Sequence, residues 1–205
     1  MKVIIINGSP RQDSNTLVGL KEVQKALEEE GIETEIIDIG NQDIRGCIAC
    51  RSCHESGKCV FDDIVNEVAL KFEQADGIVV GSPVYYANIN ATVLAFLQRL
   101  FYSSRFDKTM KVGAAVVCAR RSGTTASLDE INRFFTISGM PVVSSTYWNN
   151  IYGNMPKEAL HDEEGIQTMR NLGKNMAFLI KAIALGKKEY GLPLKEKDAR
   201  TNFIK

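Results

Sequence analysis

Apolar runs alternate with segments of helical period along most of the chain. Lys2–Asn7 is a nearly unbroken β-branched run, which predicts a strand buried on both faces of a parallel sheet. From Thr16 to Glu30 the apolar positions Leu17, Leu20, Val23 and Leu27 return at helical spacing, and Gly31 closes that helix. Thr34 to Ile39 predicts a second strand. Residues 62–72 predict a helix opened by an Asp pair, 77–81 a third strand, and 90–101 a helix with Val93, Leu94, Leu97 and Leu100 on one side. Residues 112–119 predict a fourth strand, 126–137 a helix, and 141–145 a fifth strand. A last helix over 163–185 carries Ile166, Met169, Leu172, Met176, Ile180 and Ile183 along one face. Strands separated by helices predict βαβ units, hence an α/β three-layer sandwich. Its five-stranded parallel sheet takes the order 2-1-3-4-5.

A length of 205 residues suits one domain, expected over 1–185, with a tail over 186–205. The tail has six Lys/Arg against three Asp/Glu, a net +3, and is read as a solvated extension. Its Leu192, Leu194, Phe203 and Ile204 also suit an arm packed on a neighbouring subunit. The whole chain has a formal net charge of zero, which removes the electrostatic case for nucleic acid or an acidic membrane as partner. The apolar start, Val3 to Ile6, is too short for a secretion signal or a membrane span, so the expected location is the cytoplasm.

The candidate chemistry sits where strands end. The first strand runs into Gly8-Ser9-Pro10-Arg11-Gln12-Asp13-Ser14-Asn15-Thr16 and then directly into a helix. In a doubly wound sheet, ligands lie beyond the carboxyl ends of the strands, and a helix N-terminus attracts phosphate. Ser9, Ser14 and Thr16 offer hydroxyls, Asn15 an amide and Arg11 a charged fork. The string lacks both the Gly-x4-Gly-Lys of a P-loop and the Gly-x-Gly-x-x-Gly of a dinucleotide fold. Read alone, it also suits a polar capping turn. Beyond the third strand lie Pro83, Val84, Tyr85, Tyr86 and Asn88, whose proline and tyrosines suit an apolar shelf for a flat ring or, equally, a turn with half-buried tyrosines. Beyond the fourth lie Ala119, Arg120, Arg121, Ser122 and Gly123, which suit the far side of such a pocket or a charged surface turn. Ends of strands 1, 3 and 4 converge on one crevice.

A cysteine-rich insertion over 44–60 follows the second strand. Cys47, Cys50, Cys53 and Cys59 have the spacing C-x2-C-x2-C-x5-C. Four soft thiolates so close together suit a [4Fe–4S] cluster. Zinc more often takes two Cys pairs across a longer gap, and free or partly oxidised thiols are the third reading. His54 within the loop is expected to face solvent, and Cys118 in the fourth strand to be an inert core thiol.

The strings Gly8-Ser9-Pro10-Arg11 through Ser14-Asn15-Thr16 and Gly81-Ser82-Pro83-Val84-Tyr85 resemble the NAD(P)H-dependent FMN reductase branch of flavodoxin-like proteins. The cysteine motif through Asp62-Asp63 resembles that of iron–sulfur flavoproteins. This resemblance implies a flavodoxin-like fold and an FMN-dependent oxidoreductase. Ser9, Pro10, Arg11, Ser14, Asn15 and Thr16 would hold the FMN phosphate. Pro83, Val84, Tyr85, Tyr86 and Asn88, with the loop from Ala119 to Gly123, would contact the ring. Cys47, Cys50, Cys53 and Cys59 would ligate a [4Fe–4S] cluster. It further implies homo-oligomers (dimer or tetramer) that place the cluster of one subunit near the FMN of another. A ferredoxin-like donor or NAD(P)H would supply electrons, and oxygen, peroxide or quinone would accept them. Two other readings stay open: a cluster-free NAD(P)H-dependent FMN or quinone reductase, and a zinc- or thiol-sensing binding module. No side chain is expected to act as nucleophile or base, because His54 and His161 are the only histidines.

Overall fold

The computed structural model describes residues 1–196 together with Ala199, Thr201 and Phe203. Its parallel strands are β1 (Lys2–Asn7), β2 (Glu33–Asp38), β3 (Gly77–Tyr85), β5 (Val112–Ala119) and β6 (Asn150–Tyr152). They lie in the order β2-β1-β3-β5-β6, and a two-residue strand β4 (Asn88–Ile89) pairs antiparallel with β3. Counting only the parallel strands, this is the expected 2-1-3-4-5, the doubly wound order of flavodoxins.

Alternation along each strand divides the core in two. Ile4 and Ile6 of β1, Ile78 and Val80 of β3, and Ala115 and Val117 of β5 face one layer. That layer holds α3 (Ile64–Gln74), α4 (Ala91–Ser103) and α5 (Thr124–Ile137). Val3 and Ile5, Val79, and Ala114 and Val116 face α1 (Asn15–Glu29) and α6 (Glu163–Tyr190). Strands covered on both sides read as unbroken apolar runs. Each fully buried Ile, Val or Leu contributes roughly 1.5–3 kcal/mol, which holds the carboxyl rim on a rigid base.

The fifth strand is displaced from its expected place at Pro141–Ser145. Gly113 donates its N–H to the Pro141 carbonyl and accepts that of Val143, but pairing then stops. The chain bulges outward and pairs again as β6, where Asn150, Ile151 and Tyr152 lie against Val117, Cys118 and Ala119. One edge strand is thus split in two. β3 also runs past Gly81 to Tyr85, because it turns into a hairpin with β4 through Tyr86 and Ala87, both left-handed at φ 50° and 58°. Two adjacent left-handed residues make a type I′ turn, which usually selects Asn-Gly. Helix α6 continues to Tyr190, within the segment expected as tail. Leu194 and Phe203 stand almost fully exposed, Leu192 is about one-third exposed, and Ile204 falls outside the described residues. No helix among the described residues is long and apolar enough to cross a membrane.

Candidate functional site

The loop after β1 is held from three sides. Gly8 donates its N–H to the Gly81 carbonyl at 2.9 Å, and Asn90 Nδ2 donates to the Gly8 carbonyl at 3.0 Å. On the third side the loop meets Gly40, whose missing side chain lets the Ser9 backbone lie against it. Ser14 caps α1 by accepting the Leu17 N–H at 3.0 Å. The Asn15 and Thr16 N–H groups have no hydrogen-bond partner among the described residues, although both residues are more than nine-tenths buried. Buried donors without partners at a helix N-terminus are where an anion is held. Replacing Ser14 with alanine is expected to cost about 1 kcal/mol, read by urea unfolding.

These groups open onto one cleft. It is lined by Ser9, Arg11, Ser14, Asn15 and Thr16, by Pro83, Val84 and Tyr85, and by Ala119 and Arg120. Cys118, Gly153 and Asn154 complete it. The structure therefore brings ten of the sixteen sequence-derived flavin contacts together. Pro10, Tyr86, Asn88, Arg121, Ser122 and Gly123 do not line this cleft. Tyr86 stands fully exposed at the hairpin tip, and Asn88 Oδ1 accepts the N–H of Ile89. Gly123 packs against Ala87, where an added Cβ would lie 2.7 Å from the Ala87 Cα. The Asn15 side chain is already committed. It donates to the Met155 carbonyl at 2.9 Å and accepts the Ala159 N–H at 3.0 Å, so only its backbone N–H remains for a ligand. Gly153 and Asn154 carried no signal in the sequence, because they reach the cleft only through the late strand β6.

Burial pushes the Cys118 thiol up to about 12, opposed in part by a hydrogen bond with Thr16. At pH 9 only about one such thiol in a thousand is ionised, so in protein carrying no cluster iodoacetamide is expected to spare Cys118 while labelling exposed Cys47 and Cys50. Peptide mapping checks this.

The cysteine insertion packs on the first turn of α3, through Asn66, and on the C-terminal half of α4, through Arg99 and Tyr102. Cys47, Cys50, Cys53 and Cys59 all line one small cavity, with Ile48, Val60, Phe61, Arg99 and Tyr102. Cys53 is buried at the start of a single helical turn, α2 (Cys53–Ser56), and burial raises its thiol above the ordinary value. Hydrogen bonds from the Ser52 side chain and backbone lower that of Cys50. Ala49 and Arg51, on either side of Cys50, are both left-handed. Two N–H groups point at sulfur: Ala49 N lies 3.4 Å from Cys47 Sγ and Arg99 Nε lies 3.2 Å from Cys59 Sγ. A set of four thiols around one cavity, with N–H donors behind them, fits a thiolate-ligated centre in kind. Among the described residues, however, no three His, Cys, Asp or Glu side chains are gathered closely enough to hold a metal ion. His54 is exposed, as expected, and its Nε2 lies 3.1 Å from the Tyr102 hydroxyl.

This fold, with a phosphate-type cradle at the first helix and an apolar shelf beside it, defines a flavodoxin-like flavoprotein. The family model described as NADPH-dependent FMN reductase matches residues 1–153, and the chain belongs to that family. It is a flavin-dependent oxidoreductase that binds FMN. An iron-sulfur flavoprotein of Methanocaldococcus jannaschii is 38% identical over 195 residues, covering 89% of this chain and 99% of the relative. Among solved structures, RosB with bound 8-demethyl-8-formylriboflavin-5′-phosphate aligns with a TM-score of 0.70 at 17% identity, over 100% of this chain and 94% of that one. A flavodoxin from the domain Archaea aligns with a TM-score of 0.61 at 18% identity, over 88% of this chain and 99% of that one.

Proposed function

We propose that this protein joins FMN, in the cleft at the α1 N-terminus, to a [4Fe–4S] cluster ligated by Cys47, Cys50, Cys53 and Cys59. It would pass electrons from a ferredoxin-like donor to a small acceptor such as oxygen, peroxide or a quinone. The observation that carries this reading is that all four cysteines line one cavity. When bound, FMN can exchange two electrons and the cluster one, so together they join one-electron to two-electron chemistry.

The chain's own residues position and shield. The free N–H groups of Asn15 and Thr16, the hydroxyls of Ser9 and Thr16, and the Arg11 guanidinium would hold the phosphate. Pro83, Val84 and Tyr85 would support one side of the ring, with Ala119 and Arg120 at its edge. Arg120 would place positive charge beside a reduced, anionic ring. Tyr86, Asn88, Arg121, Ser122 and Gly123 would reach the ring only if the hairpin and the loop after β5 moved inward, and Pro10 would serve the phosphate only through the course it gives the loop after β1.

Helix α4 separates the two sites within one chain. Its cap, Asn90, touches the phosphate loop through Gly8, whereas Arg99 at the thiol cavity lies nine residues on, about 14 Å along the axis. A homodimer or homotetramer would allow the thiol cavity of a second copy to lie nearer to the flavin cleft than that of the same chain. The FMN domain is taken as 1–185 with the cysteine loop at 44–60, and the cytoplasm as its place of action.

The spread of the thiols around the cavity wall favours a second reading, a cluster-free NAD(P)H-dependent FMN or quinone reductase. Anaerobic purification, with iron and acid-labile sulfide assays and a visible spectrum, separates the two. About four irons per chain with a broad shoulder beside the flavin bands are expected. Iron well below one per chain, with rapid NADPH oxidation, would overturn the cluster reading. Zinc in stoichiometric amount, with no colour after FMN addition, would point to a thiol-based sensor instead.

A further inference from the structure

Arg99 lies in the middle of α4, where a run of apolar neighbours surrounds it, and its side chain is completely buried. Burying a guanidinium costs several kcal/mol unless every donor is matched. Here all five N–H groups have an acceptor. Nη1 donates to Asp63 Oδ2 at 2.6 Å and to the Arg45 carbonyl at 3.4 Å. Nη2 donates to Asp63 Oδ1 at 2.9 Å and to the Phe61 carbonyl at 3.3 Å. The remaining donor, Nε, points at Cys59 Sγ at 3.2 Å. Every one of these acceptors belongs to the cysteine insertion or its flanks: Arg45 precedes the first cysteine, and Cys59, Phe61 and Asp63 surround the last. The guanidinium groups of Arg99 and Arg45 both pack on the Phe61 ring, at 5.0 and 4.9 Å from its centroid.

We infer that Arg99 is the positioning residue of the cysteine loop, fixing Cys59 relative to the Cys47–Cys53 run and directing one charge-assisted N–H···S hydrogen bond at its sulfur. Cys59 is the ligand most in need of such a device. The other three are spaced by two residues each, whereas Cys59 lies six residues beyond Cys53, across the turn at Gly57. The inference rests on the cluster reading for one consequence. A hydrogen bond to a ligating sulfur stabilises the reduced, more negative state, so Arg99 would raise the reduction potential of the cluster. Lysine cannot reproduce the planar fork with its fifth donor.

Arg99→Lys is compared with Arg45→Lys, which alters the other cation packed on Phe61 but no side-chain bond to sulfur. Both are purified anaerobically, and the cluster is titrated by EPR. With iron and sulfide content held, R99K is expected to reduce with an equilibrium constant at least about tenfold lower, roughly 59 mV for one electron, while R45K matches the parent. Equal potentials in R99K and the parent would overturn the inference. In the unmutated protein carrying 15N-labelled arginine, ENDOR on the reduced cluster is expected to show a 15N coupling; its absence would overturn the inference even if R99K does not fold. A parent protein that takes up no iron or sulfide would sink the cluster reading instead. Hydrogen exchange on the unloaded chain then decides the role of Arg99. Faster exchange confined to residues 59–66 in R99K relative to R45K supports it, and identical exchange overturns it.

Discussion

Replacing Gly40 with alanine is expected to weaken FMN binding by at least about 100-fold, which corresponds to roughly 2.7 kcal/mol. A Cβ at this position would lie 2.2 Å from the carbonyl carbon and oxygen of Ser9 and 2.6 Å from the nitrogen of Pro10. All three are backbone atoms of the loop that enters α1, so no side-chain rotation relieves the clash. The loop must move, and its opposite side is tied to Gly81 and Asn90, so the shift falls on Ser9 and Arg11. Overpacking alone costs about 1–3 kcal/mol, and here the strain is lodged at the cradle itself. Gly46→Ala is the control, because no atom lies within 4 Å of its added Cβ. Flavin fluorescence quenching by the unloaded protein gives both dissociation constants. A G40A protein that binds FMN within threefold of the parent would refute the proposed position of the phosphate.

Asp63→Ala is expected to lower stability by about 3–5 kcal/mol, because it leaves the Arg99 cation buried without its counter-charge. The same carboxylate caps α3 by accepting the Val65 N–H at 3.1 Å, and loss of that bond adds about 1 kcal/mol. Asp63→Asn separates the two contributions, since an amide can still cap the helix but carries no charge; its loss should be intermediate. Urea unfolding of the unloaded protein measures both. If D63A unfolds within 1 kcal/mol of the parent, by the scale of an ordinary surface change, the buried pair is not what anchors the loop.

Much of this arrangement could be read from residue order. β1 and β5 are continuous apolar runs because both faces are covered, and sequence alone placed β5 at its observed residues. The phosphate loop was legible because a strand, a polar Gly-Ser-rich turn and a helix follow one another directly. The hairpin was not: Ser82-Pro83 suggests a break, and Tyr86-Ala87 lacks the Asn-Gly that would announce a type I′ turn. β6 was missed because Asn149-Asn150 and Gly153 look like loop, and only pairing with β5 makes strand of the residues between. Arg99 was illegible for another reason. An arginine in a helix ordinarily faces water, and its burial depends on Asp63, from a different element, arriving beneath it.

The divided edge strand has a consequence for how the molecule behaves when crowded. A long, flat, unpaired rim invites other chains to extend the sheet. Here the rim beyond β5 offers one pair of hydrogen bonds near Val142 and three residues from Asn150, with an outward bulge between them. An incoming strand would find its register interrupted after a single step. That margin is thereby poorly suited to fibril-like growth, and β2, on the opposite side, is left as the sheet's unbroken edge.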